Sequence, residues 1–412
     1  MLPAMISMGD TMRLALLIAW MVISATAAAQ DDPLPDDVSN AYIAYERAIA
    51  SGDRAAAMTA AEAAWRQADA HDIDPELIGV LAANYAELAM TQGESENALR
   101  AWLAAAAIAE QVFPEGAPQR THRWYMASLS ATLAGEGSDA RDHAMRAVQN
   151  FAHDPSRVPA YLRAQSHYVL ARSSVEIGRW ARIEDNALAA IAAFQEAGID
   201  SGRTLADSYY LLGLGRYFWR DPEGSALPFH IASHLFAALG DAHAEETMST
   251  LYWTRLVRWD LDEDDLADID EEIAESRFPA VLNVSDFRDE ADAEFDPDAA
   301  PIDREQPDYP DNAAWADVQG IIMVRFDVNE HGRTENAEVI AAAPAGIFNE
   351  AALDAISRWR YTPARVNGEA VVRPGVLTRF HFTLCTPGER ECSRREHIRD
   401  RRARERAEQD DG

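Results

Sequence analysis

A regular recurrence of turn signals constrains the fold of this chain more than any other feature. Short breaks occur at Gly52-Asp53, Gly93-Glu94, Gly137-Ser138, Gly178-Arg179 and Asp221-Pro222, at spacings of 41, 44, 41 and 43 residues. Longer breaks alternate with them at 71–75, 114–118, 154–159 and 198–202. The intervening residues are rich in Ala, Leu, Arg and Glu, which lose little entropy in a helix. Short breaks alternating with longer ones at a fixed period predict stacked antiparallel helix pairs.

The second of these units shows how the two helices of a pair would face each other. Apolar residues recur at helical spacing on both, at Leu77, Leu81, Tyr85 and Leu88, then at Ala98, Trp102, Ala105 and Ile108. We predict five or six such pairs within residues 38–277, the last formed by 242–259 and 262–276. The layout resembles tetratricopeptide repeats of a longer kind. Such an all-α solenoid is a scaffold for binding proteins or peptides, and the alternative is a helical spacer without a groove.

The charge of the chain argues against a nucleic-acid partner. The formal net charge is −32, and all 37 basic residues are Arg, with no Lys. A strongly acidic protein is repelled by phosphates, and no basic patch is visible in the sequence. The hydrophobic fraction of 48% is that of a globular protein with a real core.

Residues 1–29 predict a secretory signal peptide. Arg13 precedes an apolar run at 14–23, and small residues follow, ending in Ala27-Ala28-Ala29. The alternative is an uncleaved membrane anchor, although residues 14–29 are fewer than the roughly 20 that span a bilayer. Cleavage predicts a periplasmic protein, and retention predicts an inner-membrane anchor with the rest of the chain facing the periplasm.

Two stretches of biased composition flank the C-terminal module. Residues 278–305 are dominated by Asp, Glu, Ala and Pro, which indicates an acidic linker. Residues 386–412 form a charged tail. The two cysteines, Cys385 and Cys392, lie at the start of this tail and are a possible disulfide in an oxidising compartment.

Residues 306–385 have the pattern of a small α+β domain. Apolar and polar residues alternate from Ile322 to Val328, which predicts a strand. Gly332 then supplies the positive φ of a turn, and a second strand is expected at 334–342. A helix follows with Asn349 as its predicted N-cap, and a last strand covers 376–384. The order β-β-α-β predicts an antiparallel sheet with a helix on one face.

Several further motifs lie in this module, namely Gln306-Pro307-Asp308-Tyr309-Pro310, the strand 320–328, Gly332-Arg333, Phe348, Arg358-Trp359-Arg360-Tyr361, Pro363 and Asn367-Gly368. In these residues the module resembles the C-terminal domain of TonB, the energy transducer of Gram-negative envelopes. The motifs are dispersed through residues 306–385 in the family's order, which makes the match specific.

The resemblance implies binding to other envelope proteins, in particular TonB-dependent outer-membrane receptors, by addition of a peptide strand to the domain. The candidate partner-binding residues are Gln306, Pro307, Tyr309, Pro310, Val376, Thr378, Phe380 and Phe382. The candidate structural residues are Gly320, Gly332, Phe348, Trp359, Tyr361, Pro363 and Gly368. For Tyr309 and Pro310 a packing role and a binding role both remain open, because their segment lies outside regular structure.

The resemblance does not extend to the energy-coupling part of the family. A transducing TonB keeps an N-terminal membrane helix that couples to a proton-driven inner-membrane motor, and it has a Pro-rich linker. This chain has no such linker, and a motor is a possible partner only if its N-terminal segment is retained. Three interpretations follow: a periplasmic binding protein, a membrane-anchored transducer, or a structural adaptor unrelated to transport.

The sequence gives no support for an enzyme, a cofactor or a metal site. His230 and His234 lie four residues apart on a predicted helix, but no Glu accompanies them in a metalloprotease pattern. Neither a Ser/His/Asp nor a Cys/His arrangement stands out. We therefore predict function by binding.

Overall fold

The computed structural model describes residues 34–383 except 72, 178–181, 220, 222, 260–262, 277–300, 316–317 and 367. The predicted signal peptide, most of the linker, both cysteines and the tail lie outside this part. The chain divides into two compact units. The first contains residues up to Ser173 together with Ala192–Ala197, and the second contains Ser174–Ile191 and the chain from Gly198 onward.

Twelve α-helices occupy the described residues from 34 to 276. They are α1 (Asp36–Ser51), α2 (Arg54–Ala70), α3 (Pro75–Thr91), α4 (Ser95–Val112), α5 (Pro118–Leu133), α6 (Gly137–Phe151), α7 (Ala160–Glu176), α8 (Ile183–Glu196), α9 (Arg203–Trp219), α10 (Ala226–Ala238), α11 (Ala244–Trp259) and α12 (Glu263–Glu275). Single 3-10 turns lie at Pro155–Arg157, Glu223–Ser225 and Asp241–His243. Successive helices contact each other from α1 through to α6, and again from α9 through to α11.

The helix pairs predicted from the sequence are confirmed, and local chemistry sets their ends. The Asp53 carboxylate accepts a hydrogen bond from the Ala56 amide at 3.0 Å and thereby caps α2. The predicted break at Gly137 is misplaced, because Gly137 is the first residue of α6. The chain turns two residues earlier, where Gly135 has a φ of 80° and ends α5. The break at 178–179 lies outside the described residues.

Small residues bring the helices of the first unit close together. Ala98 and Ala105 of α4 are fully buried, and Trp102 between them is 1% exposed. On α3 the predicted apolar residues are buried as well: Leu77, Leu81, Tyr85 and Leu88. Because Ala has no side chain beyond Cβ, the backbones approach and the large rings fill the remaining space.

A buried amide ties α6 to the loop before α5. Asn150 Nδ2 donates to the carbonyl of Ala117 at 3.0 Å and to Thr121 Oγ1 at 2.8 Å. Its Oδ1 accepts from the Gly116 amide at 3.1 Å. The side chain therefore satisfies polar groups that the loop would otherwise bury without partners.

The second unit ends in a small α+β domain. Its elements are β1 (Pro301–Asp303), α13 (Asp311–Trp315), β2 (Gly320–Val328), β3 (Thr334–Ala343), α14 (Asn349–Arg358), β4 (Arg360–Tyr361), β5 (Ala364–Val366), β6 (Glu369–Val371) and β7 (Arg373–Phe382). The central sheet is antiparallel with strand order β3-β2-β7. Strands β1 and β4 form a separate two-stranded sheet, and so do β5 and β6.

Helix α14 packs on one face of the central sheet and closes the domain core. The buried residues of this core include Ile322, Val324 and Phe326 from β2, Val376, Phe380 and Phe382 from β7, and Ala352, Ala355 and Ile356 from α14. The predicted β-β-α-β arrangement is thus confirmed.

Two sequence-based expectations for this domain are wrong. Asn349 is the first residue of α14 and not its N-cap, and none of the described residues donates a hydrogen bond to its Oδ1. The cap position belongs to Phe348, whose ring is fully buried, so core packing sets where the helix begins. Residues 301–305, expected in the linker, belong to the domain, because Pro301–Asp303 pairs with Arg360–Tyr361.

The Asn150 amide gives a test of the helical region. Replacing Asn150 with Leu keeps the volume and leaves the Gly116 amide buried without an acceptor. We expect a loss of about 2–4 kcal/mol in the free energy of unfolding, measured by urea denaturation followed by circular dichroism. The neighbouring Gln149 is exposed, and Gln149→Leu should change stability by less than about 0.5 kcal/mol. Equal effects of the two substitutions would contradict this role of Asn150.

Candidate peptide-binding edge of the C-terminal domain

Strand β7 forms one edge of the central sheet. It pairs with β2 from Gly320 opposite Phe382 to Val328 opposite Arg373, and no described strand pairs with its other side. An edge strand offers backbone N–H and C=O groups to a further strand. The geometry of β7 is therefore that of a site for strand addition.

The candidate side chains on β7 point toward the core. Val376, Phe380 and Phe382 are buried, and Thr378, on the same face by the alternation of a strand, is half-buried. These side chains pack the sheet onto α14. A partner strand would therefore contact the β7 backbone and not these side chains.

Strand β3, at the opposite edge, lies against a helix. Helix α11, in the same compact unit, contacts β3. Ile321 and Met323 on the sheet face away from α14 are buried, and Tyr252 of α11 interacts electrostatically with Arg325 on that face. Helix α11 therefore packs against β3 on the sheet face opposite to α14.

The Gln306–Pro310 segment meets the end of β7 through Tyr309. The Tyr309 hydroxyl donates to the carbonyl of Val318 at 2.6 Å, and its ring lies edge-on to Phe348 and Phe382, with centroids 5.7 Å apart in both cases. Phe348 and Phe382 in turn stack with centroids 4.2 Å apart. The two sequence regions proposed for partner contact are therefore adjacent in the fold.

The remaining side chains of this segment differ in exposure. Gln306 is exposed, whereas Pro307 and Pro310 are half-buried. Since the Tyr309 ring and hydroxyl are engaged within the domain, the exposed side chains of this segment are those of Gln306 and Asp308.

An arginine that the sequence did not single out fixes the start of the domain. Arg304 Nη2 donates to the Tyr361 hydroxyl at 2.9 Å, and its guanidinium lies 5.1 Å from the ring centroid of Trp359. Trp359 Nε1 donates to the carbonyl of Glu305 at 2.8 Å. Burial raises the pKa of Tyr361, and the Arg304 charge opposes that rise. Nothing in the local sequence marks Arg304, because its partners lie more than fifty residues away.

Two of the candidate structural glycines sit where a side chain would collide with the backbone. A Cβ on Gly332 would lie 2.0 Å from the carbonyl oxygen of Tyr361, and the Tyr361 amide donates to the Gly332 carbonyl at 2.9 Å. A Cβ on Gly320 would lie 2.5 Å from the carbonyl oxygen of Ala343. Gly368, next to the β5-β6 pair, has a φ of 89°, and Pro363 is half-buried beside β4.

Asp327 links the three central strands where their register shifts. Its Oδ1 accepts from the Gly375 amide of β7 at 2.9 Å, and its Oδ2 accepts from Asn336 Nδ2 of β3 at 2.8 Å. Both neighbouring ladders are irregular at this level of β2. The carboxylate thus satisfies groups that the bulges remove from the ladders, and it sets the conformation at the start of β7. The sequence analysis did not identify this role.

Other kinds of site find no support in the described part of the chain. Its His, Cys, Asp and Glu residues include no group of three placed to hold a metal ion. None of its helices is both long and apolar enough to cross a membrane.

Substitution of Asp327 tests whether its carboxylate holds the start of β7. In Asp327→Ala the Gly375 amide loses its acceptor, so we expect its hydrogen exchange to accelerate and the domain to lose about 1–2 kcal/mol of stability. Arg325→Ala, on the same strand, removes an exposed ion pair with Glu338 and should cost less than about 1 kcal/mol. Unchanged exchange at Gly375 in Asp327→Ala would show that the carboxylate does not hold β7.

Known proteins match the two parts of the chain separately. A family model described as the Gram-negative bacterial TonB protein C-terminal matches residues 305–384. TonB of Escherichia coli (strain K12) is 37% identical over 71 residues, which are 17% of this chain and 30% of that protein. The solution structure of the Pseudomonas aeruginosa TonB C-terminal domain shares 26% identity, with 23% of this chain and 93% of that chain covered and a TM-score of 0.20.

A crystal structure of tetratricopeptide-like repeats from a putative kinesin light chain of Podosopora anserina also matches. It shares 13% identity, with 54% of this chain and 94% of that chain covered and a TM-score of 0.35. The chain thus covers less than a third of the length of the curated TonB relative. Residues 305–384 thus match the C-terminal domain of TonB, and helix pairs with a tetratricopeptide-like layout precede them in the chain.

Proposed function

We propose that this chain is a periplasmic envelope protein whose TonB C-terminal domain binds TonB-dependent outer-membrane receptors. The helical repeats would offer a surface for a second protein. The role is binding, in transport across the outer membrane, without catalysis. The observation that carries the proposal is the edge strand β7 with Tyr309 at its end, within a domain of the TonB family.

The chemistry of the edge favours an extended peptide as the ligand. Main-chain hydrogen bonds to β7 would supply affinity with little dependence on the side chains of the partner. The side chains of Val376, Phe380 and Phe382 are committed to the core, so they hold the strand straight and leave its backbone for the partner. The exposed Gln306 carboxamide lies in the segment that Tyr309 holds beside Phe382 and offers one side-chain contact.

The membrane-anchored transducer and the structural adaptor remain alternatives that experiment separates. Fractionation of cells and sequencing of the mature N-terminus decide between a periplasmic protein and an anchored one. Capture of TonB-dependent receptors by the full chain favours a transport role. Capture of other envelope proteins alone would favour the adaptor.

Strand addition at β7 can be tested by hydrogen exchange in the presence of a peptide. The probe is a synthetic peptide with the sequence of the periplasmic N-terminal segment of a TonB-dependent receptor from the same cells. We expect the full chain to bind it and the outward-facing amides of β7 to exchange hydrogen at least about tenfold more slowly, as follows from a newly closed local hydrogen bond. Amides of β3 should not change, which makes them the internal control.

Backbone N-methylation of the same peptide provides the matched control. Alternate residues of a strand direct their N–H groups to opposite sides. Methylation of one alternate set should therefore abolish binding, whereas methylation of the other set should preserve it. Equal losses from both sets, or protection at β3 in place of β7, would contradict strand addition at this edge.

A further inference from the structure

Residues 304–309 run along β7. The Glu305 carbonyl accepts a hydrogen bond from Trp359 Nε1 at 2.8 Å, and the Trp359 ring centroid lies 5.4 Å from that of Phe380 on β7. Further along the segment, the Tyr309 ring contacts the ring of the last residue of β7. The segment and the strand therefore share one side of the domain, and a peptide strand added to β7 would lie beside both.

Two arginines lie where β7 begins. Arg373 is the first residue of the strand and pairs with Val328 of β2. Arg304 donates from Nη2 to the Tyr361 hydroxyl at 2.9 Å. Tyr361 belongs to the same end of the sheet, because its amide donates to the carbonyl of Gly332 in the turn that follows β2. We call this the arginine end of β7, defined by Arg304 and Arg373.

The Arg304 guanidinium is exposed and held in place by aromatic rings. It lies 5.1 Å from the ring centroid of Trp359 and 5.4 Å from that of Tyr361. Among the residues that the structure describes, none pairs a carboxylate with Arg304. A guanidinium has five N–H donors, so donors remain for a ligand after the bond to Tyr361.

The charge around Tyr361 is positive, although the whole chain has a net charge of −32. Burial raises the pKa of Tyr361, and the charges of Arg304 and Arg373 both oppose that rise, which is consistent with two guanidinium groups near one hydroxyl. The arginine end is thus a local cationic site on an acidic protein.

The carboxylates next to Arg304 in the sequence face other arginines. Glu305 forms an ion pair with Arg358 at 2.8 Å. Asp303 lies opposite Arg360 in the pairing of β1 with β4. Neither carboxylate neutralises Arg304, so its charge is available to a partner.

We propose that the peptide strand added at β7 carries an acidic side chain at the end beside Arg373, where Arg304 and Arg373 bind its carboxylate. A guanidinium pairs with a carboxylate through two parallel hydrogen bonds, which distinguishes Asp or Glu from neutral residues. At the other end of β7, the exposed Asp308 carboxylate next to Tyr309 would repel the same acid.

The division of labour at this edge follows from the chemistry of its two parts. Main-chain hydrogen bonds to β7 supply affinity for any extended peptide. The charged end selects which peptides are accepted and in which direction they lie, because a reversed peptide would place its acid away from the arginines. This inference rests on strand addition at β7 in the proposed function.

The test uses the full chain and three forms of the receptor peptide, each long enough to span β7 and with both termini blocked so that they carry no charge. One form has Glu-Glu added at its N-terminal end, one has Glu-Glu at its C-terminal end, and one has Gln-Gln at both ends. We expect one Glu form, and not the other, to bind about fivefold more tightly than the Gln form, the upper range of an exposed ion pair. The identity of that form reports the direction of the added strand.

Substitution of the arginines locates the effect. The measured quantity is the ratio of the affinities for the favoured Glu form and the Gln form in the same variant, so a general loss of affinity cancels. In Arg304→Gln and in Arg373→Gln this ratio should fall toward one. Arg365→Gln, the matched control, removes an exposed arginine of β5 that donates to the Gly368 carbonyl, and it should keep the ratio of wild type.

Charge reversal and salt give two further readouts that a merely structural role would not move. Arg373→Glu should prefer a peptide with Arg-Arg in place of Glu-Glu at the favoured end. In wild type the ratio should also fall toward one at a salt concentration of about 1 M, where the Debye length is only about 3 Å.

The outcomes separate this inference from the proposed function. Equal affinities of the three forms, or a ratio that persists in both Arg304→Gln and Arg373→Gln, would overturn the inference. Slower hydrogen exchange of the β7 amides with the Gln form would then show that strand addition itself still holds. Absence of protection at β7 by all three forms would overturn both.

Discussion

The aromatic contact among Tyr309, Phe348 and Phe382 is the interaction on which the geometry of the C-terminal domain depends. It joins the segment before the sheet, the start of α14 and the end of β7 at one point of the core. Because three parts of the chain distant in sequence meet there, the position of the β7 edge follows from packing and not from the loops around it. Because β7 is already paired with β2, a peptide that adds to it does not bear the entropic cost of ordering β7.

The helical region is packed in a different way. Fully buried alanines such as Ala98 and Ala105 let the helices approach closely, and the interior is then filled by Trp102 and a few other rings. Such tight packing leaves little room for polar side chains, so the few polar groups buried there indicate a specific role. Asn150 is buried with every polar group hydrogen-bonded, which marks it as structural. Glu87 is half-buried without a compensating charge among the described residues, and burial raises the pKa of its carboxyl to about 7.

Local sequence patterns predicted those elements whose local signals agree with their packing in the fold. The alternation from Ile322 to Val328 and the left-handed Gly332 define β2 and its turn without tertiary information. Strand β1 was missed because Pro301-Ile302-Asp303 contains one apolar residue and its partner strand begins 57 residues later. Asn349 has the chemistry of an N-cap, yet the buried Phe348 takes that position. Among the candidate site residues, only the structure shows that the Phe380 and Phe382 rings face the core and that β7 lies at an edge of the central sheet.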